Sequence, residues 1–301
     1  MNTITTEEVG YKKMDILLGI LPSLAWGSMI LVSMKMGGGP YSQTLGTIIG
    51  ALILSIVHFF IVQPVLTPLI IIVGIVSGLF WSVGQSNQFK SVPYLGVSKA
   101  MPISTGMQLV STALFGVIVF REWTTFQTIL LGTIAIILIL AGTILSSIDG
   151  KQGDAVASGQ TKKGVITLAI SSLAFLMYVV IAKIFHVDGW TALFPQAIGM
   201  LIGGLIITYK HKPFNKYTIK NILPGLIWAS GNMFLFMSQS RLGIATSFSL
   251  SQMGIIISII GGIVFLGEKK TKRQLVYIAL ASILIISGGI FIGITNAKAT
   301  G

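Results

Sequence analysis

The chain of 301 residues contains no cysteine. Disulfides, thiolate nucleophiles, cysteine-ligated metals and palmitoylation are excluded at once. Charge is scarce too: Asp, Glu, Lys and Arg make up 9% of residues, against roughly 25% in a soluble domain. Only eight residues are acidic. Glu7, Glu8, Asp15, Glu122, Asp149, Asp154, Asp188 and Glu268 all fall at the ends of apolar runs or in connectors. No carboxylate sits in the middle of a run to relay protons. Nucleophile elbows, HExxH zinc pairs and Walker loops are absent, which argues against a membrane enzyme and excludes ATP-driven pumping by this chain alone. No cofactor and no metal site is encoded.

What the chain does have is apolar length. Hydrophobic residues make up 53% of it, and uncharged runs near twenty residues match the thickness of a bilayer core. Ten candidate spans cover 16–34, 43–62, 68–87, 98–120, 126–147, 164–184, 192–209, 222–240, 245–266 and 274–294. Helices are required, because an unpaired backbone group in lipid costs several kcal/mol, and barrel strands would be about half as long. The expected fold is an all-α integral membrane protein. The polar head 1–14 brings Lys12 and Lys13 up to the first run, as a signal peptide would. That run is long and lacks a small-residue cleavage site, so it reads as a retained helix. The net charge of +12 suggests nucleic acid, but the lysines sit in short connectors, where they anchor and orient helices at the lipid interface. No nucleic-acid partner is expected.

A polar interval, 148–163, divides the chain into units 15–147 and 164–296, with a short tail at 297–301. The units resemble each other. Pro22-Ser23-Leu24-Ala25-Trp26 parallels Ser171-Ser172-Leu173-Ala174-Phe175, and Gln43-x2-Gly46-x3-Gly50 parallels Gln196-x2-Gly199-x3-Gly203. Trp81-x2-Gly84-x11-Gly96 parallels Trp228-x2-Gly231-x11-Gly243, with Gln85 and Asn232 at matching places. Phe120-Arg121-Glu122 parallels Leu266-Gly267-Glu268. Four matches in one order point to a duplication. A unit of five helices enters on one side and leaves on the other, so its second copy runs upside down. Two inverted five-helix repeats are a recurrent design of secondary transporters.

At these motifs the chain resembles the glucose/ribose porter family of the drug/metabolite transporter superfamily. The resemblance is carried by Trp81-Ser82-Val83-Gly84-Gln85-Ser86-Asn87-Gln88-Phe89-Lys90-Ser91, by Gly96 to Gly106, by Gly243 to Gln252 and by the Gly267-Glu268-Lys269-Lys270 turn. It implies ten helices, uptake of a monosaccharide such as glucose or ribose, and coupling to protons. Composition implies none of these specifics, and a sugar uniporter or a carrier or exporter of another small polar metabolite in the same superfamily stays open.

A sugar presents hydroxyls and an apolar ring face. Its site needs amides or hydroxyls for the first and an aromatic plate for the second. Trp26, Trp81 and Trp228 lie within spans, and Gln85 and Asn232 each follow a tryptophan by four residues, on the same helix face. Gln108, Gln252, Gln43 and Gln196 complete the set of candidate amides. Any one of them alone could equally hold two helices together. Lys99 lies near one end of span four, where a lysine is costly and either functional or snorkelling. Pro102 is expected to bend that helix; its counterpart Ser249 lies in the hydroxyl-rich run Thr246 to Gln252. Lys99, Pro102, Glu122 and Glu268 are the candidates for coupling or gating, with helix capping the plainer role for the two glutamates. The GxxxG pairs at Gly46, Gly74, Gly199 and Gly289 read as close helix contacts.

Ten spans put both termini on one side. Six basic residues fall there and thirteen on the other, so the positive-inside rule favours both termini outside the plasma membrane.

Overall fold

The computed structural model describes residues 6–148 and 155–300, without the side chains of 6–14, 147, 155–158, 244, 245, 249 and 296–300. Residues 1–5 of the polar head, 149–154 of the central interval and the final residue lie outside it. The described residues form helices throughout. These are α1 (Thr6–Met36), α2 (Gly39–Val62), α3 (Pro68–Leu95), α4 (Val97–Phe120), α5 (Phe126–Ser147), α6 (Ala155–Ile184) and α7 (Gly189–Thr208). After a 3-10 turn come α8 (Lys216–Lys220), α9 (Ile222–Leu242), α10 (Ile244–Ser251), α11 (Gly254–Val264) and α12 (Lys272–Thr300).

Eight helices, α1 to α7 and α12, are long and apolar enough to cross a membrane. The ten expected spans are therefore matched in part. The eighth forms a helix of 21 residues, α9, whose second half carries Asn232, Ser238, Gln239, Ser240 and Arg241. The ninth is divided into α10 and α11. At the division the ladder tightens: Met253, Ile255 and Ile256 donate to the carbonyls of Leu250, Gln252 and Met253, three residues back. Hydroxyls compete with the helix there, as Ser251 Oγ takes the Phe248 carbonyl at 2.7 Å. By contrast α4 runs unbroken through Pro102.

Caps fix several helix starts. Thr67 accepts from Ile70 N, Thr125 and Thr128 form a reciprocal box, and Asp188 accepts from Thr191 N. Two corners need no loop. Gly96 (φ 75°, ψ 161°) joins α3 directly to α4, and Gly243 (φ 80°, ψ 160°) joins α9 to α10. The backbone is nearly identical at both, in a region open to glycine alone.

Helix neighbours repeat between the halves. α3 lies against α6 and α7, and α9 lies against α1 and α2. α4 packs on α5 and α6, while α10 packs on α12 and α1. α2 meets α7, and α5 meets α12. Setting α1 to α5 beside α6, α7, α9, α10–α11 and α12 in that order reproduces the pattern. Glycine permits the closest crossings. A side chain at Gly50 would strike the Ile222 carbonyl, one at Gly225 the Thr47 carbonyl, one at Gly78 the Gln196 carbonyl, and one at Gly199 the Ile75 carbonyl. Packing at this distance replaces the hydrophobic drive that lipid does not supply.

Candidate functional site

A cavity of about 250 Å³ lies among α1, α3, α4, α6 and α9. That is far more than the ~10–15 Å³ one water needs. Six of the residues singled out from the sequence meet here: Trp26, Trp81, Gln85, Gln108, Trp228 and Asn232.

The indoles form one wall. Trp81 and Trp228 have ring centroids 4.5 Å apart, tilted by 54°. Trp81 is 1% exposed and also meets Phe175 of α6 edge-on at 6.4 Å. Trp26 Nε1 donates to the Trp228 carbonyl at 3.3 Å, so the α1 ring is pinned to α9. A plate made this way is rigid, since each indole is held by another helix.

Amides line the cavity beside the indoles, one turn further along α3 and α9 and on α4, and those of α3 and α4 are ordered by one another. Gln85 Nε2 donates to Gln88 Oε1 at 3.2 Å, Gln88 Nε2 to Ser104 Oγ at 2.9 Å, and Gln108 Nε2 to Ser104 Oγ at 2.9 Å. This chain ties α3 to α4. Its outward-facing atoms keep capacity for a ligand, because an amide offers two donors and two acceptor sites. Asn232, 9% exposed, lines the cavity and makes no hydrogen bond to a described residue. An apolar plate with fixed amides in the same cavity suits a neutral polyhydroxylated molecule, and no charged side chain lines the cavity to hold a charged one.

Gln88, Thr105, Thr112, Phe175 and Tyr178 also line the cavity and were not among the sequence candidates. Gln88 carried a readable signal, being three residues beyond Gln85 on the same face. Phe175 was marked only by its match to Trp26 in the repeat, and Tyr178 carried no signal.

Four candidates lie elsewhere. Gln43 Nε2 donates to the Ser33 carbonyl at 3.0 Å, joining α2 to α1. Gln196 Nε2 donates to Ser77 Oγ at 3.2 Å, joining α7 to α3. Gln252 stands at the division between α10 and α11, its amide on the Phe248 carbonyl and on Ser251 Oγ. Lys99 is 7% exposed and lines a second cavity of about 240 Å³ with Tyr94, Ser146, Gln160, Lys270 and Gln274.

The main cavity is closed at one end. Toward the start of α4, Met29, Ile30, Phe89, Val92, Leu95, Val97, Ala100 and Ile103 form a buried apolar layer. Glu268 fastens it, accepting hydrogen bonds from Val97 N and from Ser98 N and Oγ. A carboxylate at a helix N-terminus is favoured by the orphan N–H groups and by the helix dipole. At the other end Thr112 and Val179 are lining residues and exposed. There Glu122 pairs with Lys183 of α6. Each glutamate is folded back in the same way: Glu122 N donates to the Gly116 carbonyl and Glu268 N to the Gly262 carbonyl.

The model of the family described as "Sugar transport protein" matches residues 17–295. The chain belongs to the sugar transport protein family. It is 64% identical to the glucose uptake protein GlcU of Bacillus subtilis (strain 168) over 95% of this chain and 100% of that one. It is 61% identical to the probable glucose uptake protein GlcU of Priestia megaterium, over 94% and 100%. A putative sugar uptake protein of Bacillus cereus (strain ATCC 10987 / NRS 248) is 58% identical over 94% and 100%. These are transport proteins, not enzymes. One solved structure, titled only "Crystal structure of protein", aligns over 93% of this chain and 98% of its own at TM-score 0.60 and 14% identity, a likeness of fold alone. Eight apolar helices and these relatives make the chain a multi-pass membrane protein.

Proposed function

We propose that this protein is a secondary transporter that takes up a monosaccharide, glucose first and ribose second, by alternating access. One observation carries the reading. Two tryptophan–amide pairs, Trp81 with Gln85 and Trp228 with Asn232, come from matching places in the two halves and meet in one cavity. The names of relatives at 64% and 61% identity support glucose as the substrate.

Ten membrane passages in two inverted five-helix repeats is the arrangement that accompanies this reading. The repeated helix neighbours and the twin corners at Gly96 and Gly243 support it. In it α9 crosses despite its polar half because Asn232 lines the cavity, the Ser238 and Ser240 hydroxyls bond back to the helix's own carbonyls, and Arg241, at the helix end, pairs with Asp15. Likewise α10 and α11 form one interrupted passage, tolerated where backbone lines a path. Gating then belongs to Glu268 and Glu122, each at the mouth of one side, with Pro102 and Lys99 near the Glu268 end. Both termini lie outside, on the side with fewer lysines, and the cavity faces that side. Uptake against a gradient is driven by protons.

The test is uptake of labelled glucose, ribose and a panel of other sugars by purified protein in liposomes, with and without an inward proton gradient. Saturable glucose uptake, raised by the gradient, is expected. Failure to move any monosaccharide would overturn the function, and uptake indifferent to the gradient would overturn the coupling alone.

A further inference from the structure

One buried polar side chain plays no part in the site as described. His58 lies on α2, one turn before the helix ends at Val62. It is 1% exposed, and neither Nδ1 nor Nε2 has a hydrogen-bond partner. A buried polar group without a partner is left with its full desolvation cost, so its presence calls for a reason.

The surroundings supply one. Trp190 of α7 meets the imidazole edge-on, with ring centroids 4.4 Å apart. A void of about 20 Å³ connects the ring with Ser55, Gln196, Trp228 and Asn232, enough for one water. Trp228 and Asn232 also line the sugar cavity. The histidine is thus one small gap away from the two residues that the α9 half contributes to the site.

Among the residues lining that void, His58 is the one titratable group; at the same end of the bundle Lys183 of α6 pairs with Glu122, and His186, between α6 and α7, is exposed. Neither α2 nor α7 carries any Asp, Glu, Lys or Arg. On α3 the one such residue is Lys90, near the opposite end. Arg241, at the far end of α9, pairs with Asp15. Asp188 caps α7 and is held by Thr191 N and Oγ1. An ordinary histidine titrates between pH 5 and 8, and this one sits at the end of the bundle where the cavity rim is exposed.

We propose that His58 is the proton-carrying residue of the transport cycle. This rests on the proton-driven uptake proposed above. From the side of the exposed rim, one ring nitrogen takes a proton through its lone pair, and the neutral imidazole becomes imidazolium. The same N–H bond breaks toward the opposite compartment once the protein has turned, so one proton crosses with each sugar and none is consumed. The coupling is reciprocal: a charge on His58 orients Asn232 and the Trp228 helix for the sugar, and bound sugar raises proton affinity by the same factor.

The experiment uses the full chain in liposomes, with His58→Gln beside the wild type. Glutamine keeps polarity and bulk but does not titrate. Two readouts are compared: accumulation of labelled glucose driven by an inward proton gradient, and counterflow with glucose on both sides and no gradient. The wild type is expected to do both. His58→Gln is expected to bind glucose more weakly but to keep counterflow at saturating glucose within about twofold, while gradient-driven accumulation falls at least tenfold, together with sugar-dependent acidification of a trapped pH dye. Accumulation by His58→Gln at the wild-type level overturns the assignment, as does loss of counterflow and accumulation together in folded protein, which marks a structural role. Absence of gradient-driven accumulation in the wild type overturns instead the proton-driven reading on which the assignment stands.

Discussion

Glu268 reaches across 170 residues of sequence to bind Ser98 at the start of α4, whereas Glu122, at the corresponding place in the first half, binds Lys183 of α6. The same turn therefore closes one end of the molecule and leaves the other without the equivalent fastening.

Glu268→Gln removes the charge that favours the α4 N-terminus, an effect of up to about 2 kcal/mol in partly buried geometry. Loosening of that end is the expected result. Because the natural chain has no cysteine, Ser91→Cys gives a near-isosteric reporter beside the closed layer. Its labelling by an impermeant maleimide from the lysine-rich side is expected to speed up several-fold in the Glu268→Gln background. An unchanged rate would remove Glu268 as a gate.

The opposite mouth is read with Thr112→Cys. Thr112 is exposed and lines the cavity, so it is expected to react quickly from the side of the termini and more slowly when glucose is present. Equal protection of Thr112→Cys and Ser91→Cys in the absence of sugar would contradict the placement of the opening. The side from which each reacts in intact cells also decides the orientation.

Gln85→Ala and Asn232→Ala each remove a neutral hydrogen-bonding group from the cavity. A loss of about 1–2 kcal/mol of sugar binding, or roughly 5- to 30-fold in affinity, is expected for each. Gln43→Ala is the contrast. It breaks the tie to the Ser33 carbonyl, so thermal stability in detergent is expected to fall while affinity stays. Titration of sugar binding and a melting curve for all three variants separate the two effects.

Gly78→Val places branched carbons against the Gln196 carbonyl. Overpacking of about 1–3 kcal/mol or more is expected, read as a lower yield of monodisperse protein. Gly159→Ala is expected to leave yield unchanged, since no atom lies within 4 Å of the added carbon.

Sequence reasoning found the tryptophan–amide pairs because helix geometry alone places residues four apart on one face, and the duplication showed which pairs to trust. It gave no means of separating Gln43 and Gln196 from Gln85. All three are amides in apolar runs, and only the short turn from α1 to α2 and the packing of α7 on α3 decide that two of them satisfy backbone or serine partners. Phe175 was visible only as the counterpart of Trp26, and Tyr178 had no polar neighbour to mark it. His58 was passed over because one histidine in an apolar helix is unremarkable until its partners are known to be missing. The interruption of the ninth span was foreshadowed by the serines of 247–251, yet Pro102, the stronger helix breaker on paper, leaves α4 continuous. Position explains this: Pro102 is the sixth residue of α4, where the ladder has only just begun.

The single-residue corners at Gly96 and Gly243 leave no slack between the helices they join. A tilt of α4 must drag the end of α3 with it, and a tilt of α10 must drag α9, in the manner of a bent crank instead of a tether. Trp81 and Gln85 ride on one crank, and Trp228 and Asn232 on the other, so in the proposed cycle the gate and the binding plate move together.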